Sequence, residues 1–156
     1  MGYRSDVRIM TTSKGWDIIQ KNAEACKQAQ IMLENTTVFH KTDEYVYLGW
    51  NDEKWYDDFD EVQNIMNSLE EIAENGEDYH YVRIGEDLTD MEERSAEWSI
   101  PYVSWSRSFD DFSTIRTIDK DACVLSSDDL EYLQKYCSSH NLTMKDIMNA
   151  LEKGEN

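Results

Sequence analysis

Five carboxylates fall within eight residues, at Glu86, Asp87, Asp90, Glu92 and Glu93. Hard oxygen ligands of this kind suit Mg²⁺ or Ca²⁺. A calcium loop of the EF-hand type needs alternating Asp or Asn and then a glycine at its sixth position, and no stretch has that spacing. A solvated run of charge accounts for the five more simply. The histidines, His40, His80 and His140, share no HExxH or Cys/His spacing, and a zinc site needs further ligands at defined steps. His40 and His80 fall on expected strands and meet only if the sheet brings them together. Cys26, Cys123 and Cys137 form no CxxC. A Cys-His nucleophile pair stays open, because such partners meet only in the fold. No GxxxxGK[ST], GxGxxG or GxSxG occurs. The chain is therefore expected to be no enzyme and to need no metal or cofactor.

The stronger signal is electrostatic. The 156 residues carry 33 Asp and Glu against 15 Lys and Arg, a net charge of −18. Residues 42–94, a third of the chain, hold 18 of those 33 acids, interleaved with Tyr45, Tyr47, Trp50, Trp55, Tyr56, Tyr79 and Tyr81. Disordered acidic tails have few aromatics, so this charge belongs on a folded surface. Such a surface repels nucleic acid and attracts basic surfaces, including those built to hold nucleic acid. Aromatic platforms for single strands need Lys and Arg beside them. Here Asp52, Glu53, Asp57 and Asp58 flank Trp50, Trp55 and Tyr56. Core packing accounts for most of these rings, leaving one or two to anchor a protein partner.

The elements that position these groups follow from periodicity. Tyr3, Ser5, Val7 and Ile9 alternate with Arg4, Asp6, Arg8 and Met10, a strand pattern. Thr12 or Ser13 caps a following helix over about 14–34, with Trp16, Ile19, Ala23, Cys26, Gln30 and Leu33 on one face. Thr36–His40 and Tyr45–Trp50 read as a hairpin, and Lys54-Trp55-Tyr56 as a short further pairing. Val62, Ile65, Met66, Leu69, Ile72 and Ala73 make a helical stripe over about 59–75, acidic at its start and ended by Asn75-Gly76. Tyr79–Ile84 reads as a strand, 86–93 as an acidic turn or short helix, and 98–106 as a last strand, at an edge or interrupted because Pro101 lacks a ladder donor. The order implies an α+β fold, an antiparallel sheet with two helices on one face in a ferredoxin-like βαββαβ arrangement. The expected organisation is a sheet domain over 1–109, a connector over 110–120 and a two-helix appendage over 121–156. That appendage has a strand-like lead at 122–125, a helix holding Leu130, Leu133 and Cys137, and a helix capped by Thr143.

MGYRSDV at the start, Lys54-Trp55-Tyr56, and Tyr81-Val82-Arg83-Ile84-Gly85-Glu86-Asp87 together resemble a family of small uncharacterised phage and prophage proteins. The resemblance covers about 1–95 and implies a phage origin without catalytic residues. The last third is similar in layout to ribbon-helix-helix dimerisation units, or is a plain helical hairpin. Its lead offers only Arg116 and Lys120 beside Asp119 and Asp121, which argues against DNA contact.

No segment has the apolar length of a signal peptide or membrane span, so a cytoplasmic protein with reduced thiols is expected. The leading expectation is a phage-encoded, anti-CRISPR-like inhibitor. Its acidic face would occupy a nucleic-acid-binding surface of a basic host protein such as a CRISPR effector, without direct nucleic-acid contact. The face is assigned to Asp57, Asp58, Asp60, Glu61, Glu70, Glu71, Glu86, Asp87 and Asp90, with Trp55 as an anchor. The alternative is a dimeric DNA-binding regulator acting through a homodimer of residues 121–156.

Overall fold

Alternation in the first strand sends Val7 and Ile9 to one side and Arg8 and Met10 to the other, and all four are buried. The computed structural model describes residues 2–87, 89–97, 99–118, 127–141, 143 and 145–146. That strand is β1 (Ser5–Thr12). With β2 (Val38–Lys41), β3 (Tyr45–Glu53), β4 (Tyr79–Gly85) and β5 (Met91–Ser95) it builds a five-stranded sheet of order β2-β3-β1-β4-β5. Every pairing is antiparallel. The fold class is α+β, and β1 is buried on both faces because it is the central strand.

Each face has its own core. Val7, Ile9, Val46, Leu48, Trp50, Tyr79 and Tyr81 pack with residues from α1 (Ser13–Ala23), α2 (Lys27–Glu34) and α3 (Asp60–Glu74). Met10, Tyr47 and Val82 pack with Val103 and with Ile118 of α4 (Asp111–Ile118). By its internal contacts the chain divides into two units, Met1–Ile118 and Asp119–Asn156. So 111–118, within the stretch expected as a connector, is helix α4 of the first unit. The second unit contains α5 (Ser127–His140). After it, Asp146 accepts from the Thr143 amide and hydroxyl at 2.8 and 2.9 Å, a reciprocal cap where the second helix was expected. The expected lead at 122–125 lies outside the described residues. No helix among the described residues is long and apolar enough to cross a membrane.

The stripe on α3 is the element most legible from periodicity. Ile65, Leu69 and Ile72 are at most 1% exposed. Burying each contributes about 1.5–3 kcal/mol, so tertiary packing more than propensity holds this helix. It ends in a left-handed residue, Gly76 at φ +76°. The Glu77 amide reaches back to the Ile72 carbonyl and the Gly76 amide to that of Ala73. A methyl group on Gly76 would meet nothing within 4 Å. Gly76→Ala is therefore expected to cost only the backbone term, about 1 kcal/mol. Urea unfolding checks this as a lower midpoint at unchanged slope.

Three expectations are corrected. The helix over 14–34 is two helices, because Cys26 takes an extended backbone (φ −134°, ψ 102°) and resets the register. Ala29 and Met32 turn inward in place of Cys26 and Gln30, Leu33 packs half-buried against the core as expected, and the Trp50 indole donates to the Met32 carbonyl at 2.8 Å. Lys54-Trp55-Tyr56 forms no strand. Its central ring goes into the core instead. Among the described residues the last strand is β5, and 99–106 forms none. Met-Glu-Glu-Arg-Ser lacks apolar alternation and is held by β4, with Glu92 against Arg83 and Glu93 against His80. Ile100, Val103 and Trp105 owe their spacing to covering the second face of the sheet.

Candidate acidic interaction surface

Register fixes where the charges lie. Ser5 pairs with Glu53 on one side and Gly85 on the other, so β1 starts where β3 and β4 end. From that end the chain leaves β3 through 54–59 into α3, and leaves β4 through 86–90 into β5. Residues 2–4 lie between these two acidic runs. A Cβ on Gly2 would fall 2.6 Å from the Tyr56 hydroxyl. The Tyr3 hydroxyl donates to Asp90 at 2.7 Å and accepts the Asp87 amide at 3.0 Å. Arg4 donates its amide to Glu86 at 2.7 Å and its guanidinium to the Asp52 carbonyl at 2.9 Å. The Asp52 amide in turn donates to Asp6 at 2.8 Å.

Asp57, Asp58, Asp60, Glu61, Glu86 and Asp87 are thus gathered at one end of the sheet. All are exposed except Glu61, which is half-buried. None of these six forms an ion pair among the described residues. The positive end of the α3 dipole, with no side-chain cap on its amides, favours Asp60 and Glu61 there. A shallow pocket of about 190 Å³ at the same end is lined by Arg4, Ser5, Asp6, Asp52, Glu86 and Arg107, among others. Asp52, left-handed at φ 55°, also belongs to this surface.

Four assigned residues do not join it. Glu70 lies ten residues along α3 from Asp60, about 15 Å away. Glu71 is occupied by the Asn22 side-chain amide at 2.7 Å. Asp90 is neutralised by a two-pronged bond from Arg83 at 2.8 and 2.9 Å. Arg83 first, and then the Tyr3 hydroxyl, hold its carboxyl down at about 2. Trp55 is 7% exposed, with its ring 5.3 Å from Trp50 and 6.3 Å from Tyr81. It is a core ring and offers no partner an anchor. The acidic loop at Asp43 and Glu44 lies at the opposite end of the sheet, where Thr12 pairs with Tyr45.

Three of the five carboxylates weighed for a cation are committed to basic side chains, Asp90 to Arg83 as described. Glu92 takes Arg94 at 2.7 Å and Glu93 takes His80 at 2.6 Å. Among the described residues no three His, Cys, Asp or Glu are placed to hold a metal ion. His40 and His80 do not meet, since β3 and β1 separate their strands by about 14 Å. The His80 Nδ1 accepts the Val103 amide at 2.8 Å, which leaves the hydrogen on Nε2 to donate to Glu93. This pair ties the covering segment to β4 and β5.

The chain matches no known protein family, no curated protein and no solved structure. Its reading rests on its own geometry.

Sequence reasoning missed two buried charge clusters on the sheet. Arg8, 2% exposed, bonds Asp111 of α4 at 2.8 Å, and the Tyr47 hydroxyl donates to the same carboxylate at 2.6 Å. Burial, then Asp111, pushes the Tyr47 hydroxyl far up. Burial alone would raise Asp111, but Arg8 and Tyr47 hold it below the ordinary value. Asp78, 4% exposed, accepts the amides of Tyr79, Glu97 and Ser99 and the Ser99 hydroxyl. These donors outweigh its burial and keep its carboxyl below the usual range. The only sequence signal was a charged residue inside, or just before, a buried strand.

Proposed function

We propose that this chain is a binding protein whose acidic end occupies a basic, nucleic-acid-binding surface on another protein. The observation carrying this is the gathering of Asp57, Asp58, Asp60, Glu61, Glu86 and Asp87 around residues 2–4, none of them in an ion pair among the described residues. The net charge of −18 deepens the local field. Inhibition follows by exclusion, since nucleic acid and this surface compete for the same cations. A phage-encoded, anti-CRISPR-like inhibitor acting on a host effector fits that physics and the N-terminal resemblance. The strand order β2-β3-β1-β4, with α1 and α2 after β1 and α3 after β3, supports a ferredoxin-like βαββαβ core extended by β5.

The test is capture of host proteins by the tagged chain at low and high salt. The proposal expects a basic nucleic-acid-binding protein to be captured at low salt and released at high salt. Reversing Asp57, Asp58, Asp60 and Glu61 to lysine is expected to weaken capture by about a hundredfold, mostly through the association rate. Capture that survives the reversal sinks the proposal.

A further inference from the structure

We propose that the free edge of β2, with the slot beside it, binds an extended peptide segment of a protein partner through an arginine side chain. This goes beyond the acidic-end reading and does not depend on it.

Among the described residues β2 pairs only with β3, which leaves the outward backbone groups of Phe39 and Lys41 for an added strand. Beside that edge lies an open, mainly apolar slot of about 400 Å³, lined by Trp16, Gln20, Leu33, Glu34, Thr36 and Phe39. The volume falls at the low end of the roughly 300–1,000 Å³ of small-ligand sites. Phe39 is 49% exposed, and its ring stands 5.4 Å from that of Trp16 at 59°. Phe39 faces the same side of the sheet as Leu48, its partner in β3. A strand added to β2 sends alternate side chains to that side, one of them over the slot.

Charge selects the occupant. Glu34 is exposed and forms no ion pair among the described residues. It closes the last turn of α2, which holds no basic residue to meet its negative dipole end. An arginine lays its methylene stem on Leu33 and Phe39 and its planar cation on an aromatic face, within reach of the Glu34 carboxylate. A second copy of the chain fits less well, because each copy brings a net −18.

The experiment titrates the ¹⁵N-labelled full chain with a capped Thr-Val-Arg-Val-Thr peptide, and with the same peptide carrying neutral citrulline for arginine. Shifts are expected at the Trp16 indole and over 36–41, with citrulline binding about tenfold weaker. Glu34→Gln is expected to remove most of that preference. Phe39→Ala, at a half-exposed position, is expected to weaken both peptides while leaving the fold intact. No binding of the arginine peptide, equal binding of the two, or shifts centred on 57–61 and 86–87 each overturns the proposal. So does concentration-dependent dimerisation that Phe39→Ala abolishes, which would make a second copy the occupant. The lysine reversal at 57, 58, 60 and 61 leaves peptide binding unchanged if the slot acts alone, so failure of the acidic end and failure of the slot read out separately.

Discussion

Asp111→Ala is expected to lower the unfolding free energy by about 3 kcal/mol. Arg8 uses all five of its N–H groups. Nε donates to Asp111 at 2.8 Å, one terminal nitrogen to the carbonyls of Val7 and Trp50, and the other to Asn51 at 2.6 Å and Asp111 at 3.1 Å. The Phe109 ring lies 4.7 Å from the guanidinium carbon. Removing the carboxylate strands a cation that is 2% exposed and leaves two of its donors unmatched. That loss is larger than the net worth of the pair, which desolvation reduces. The double replacement Arg8→Met with Asp111→Leu is accordingly expected to recover most of the stability. Denaturant unfolding of the parent chain and the two variants decides it, and a cost of Asp111→Ala under about 1 kcal/mol would show Arg8 to be independent of Asp111. Acid makes the same point. Asp111, Asp78 and Asp90 all have folded values below the ordinary carboxylate value, Asp90 at about 2. Each contributes stability that is fully present above the unfolded value of about 4 and is lost as pH falls through the folded one. The melting temperature is therefore expected to drop from about pH 4 downward, less steeply in Asp111→Ala.

Gly49→Ala is expected to be as damaging, at about 3 kcal/mol or outright failure to fold. A Cβ at Gly49 falls 2.2 Å from the Val7 carbonyl oxygen and 2.5 Å from Arg8 Cδ. The carbonyl cannot yield without opening the β1–β3 ladder, and Arg8 is pinned by its bonds. Gly49 is thus the recess in β3 over which the arginine crosses. The contrast with Gly76, where a methyl group has open space, separates a packing glycine from a conformational one. Shortening the neighbour as well, in Arg8→Met, is expected to lower the cost of Gly49→Ala, so the two changes are non-additive. Soluble yield and unfolding midpoints of the single and double variants measure this.

What could be read ahead of the structure was what local periodicity encodes. The faces of β1, the hairpin of β2 and β3, the stripe of α3 and its stop at Gly76 all repeat a pattern over several residues. The break at Cys26 had no such signal, because a three-residue turn barely disturbs an apolar count. β5 was invisible because its residues are polar and its partner supplies the reason to be a strand. Apolar spacing at Ile100, Val103 and Trp105 pointed to a strand because a segment covering a sheet shows the same residues as a segment within one. At the acidic surface, the sequence located the charges but not their grouping. Register joined 57–61 with 86–87 and sent Glu70 and Asp43 elsewhere, while a single arginine removed Asp90 from the surface.

The central position of β1 has a consequence for how the molecule forms. The first strand made is the one that two later strands must flank, and Ser5 finds Gly85 eighty residues on. The β2–β3 and β4–β5 hairpins are local and close quickly, but neither holds the core without β1 between them. Until residue 85 is available, β1 keeps at least one unpaired edge and part of its apolar surface uncovered. The rate of folding is then set by closure of that long loop, and the nascent chain is most prone to mispairing just before β4 arrives.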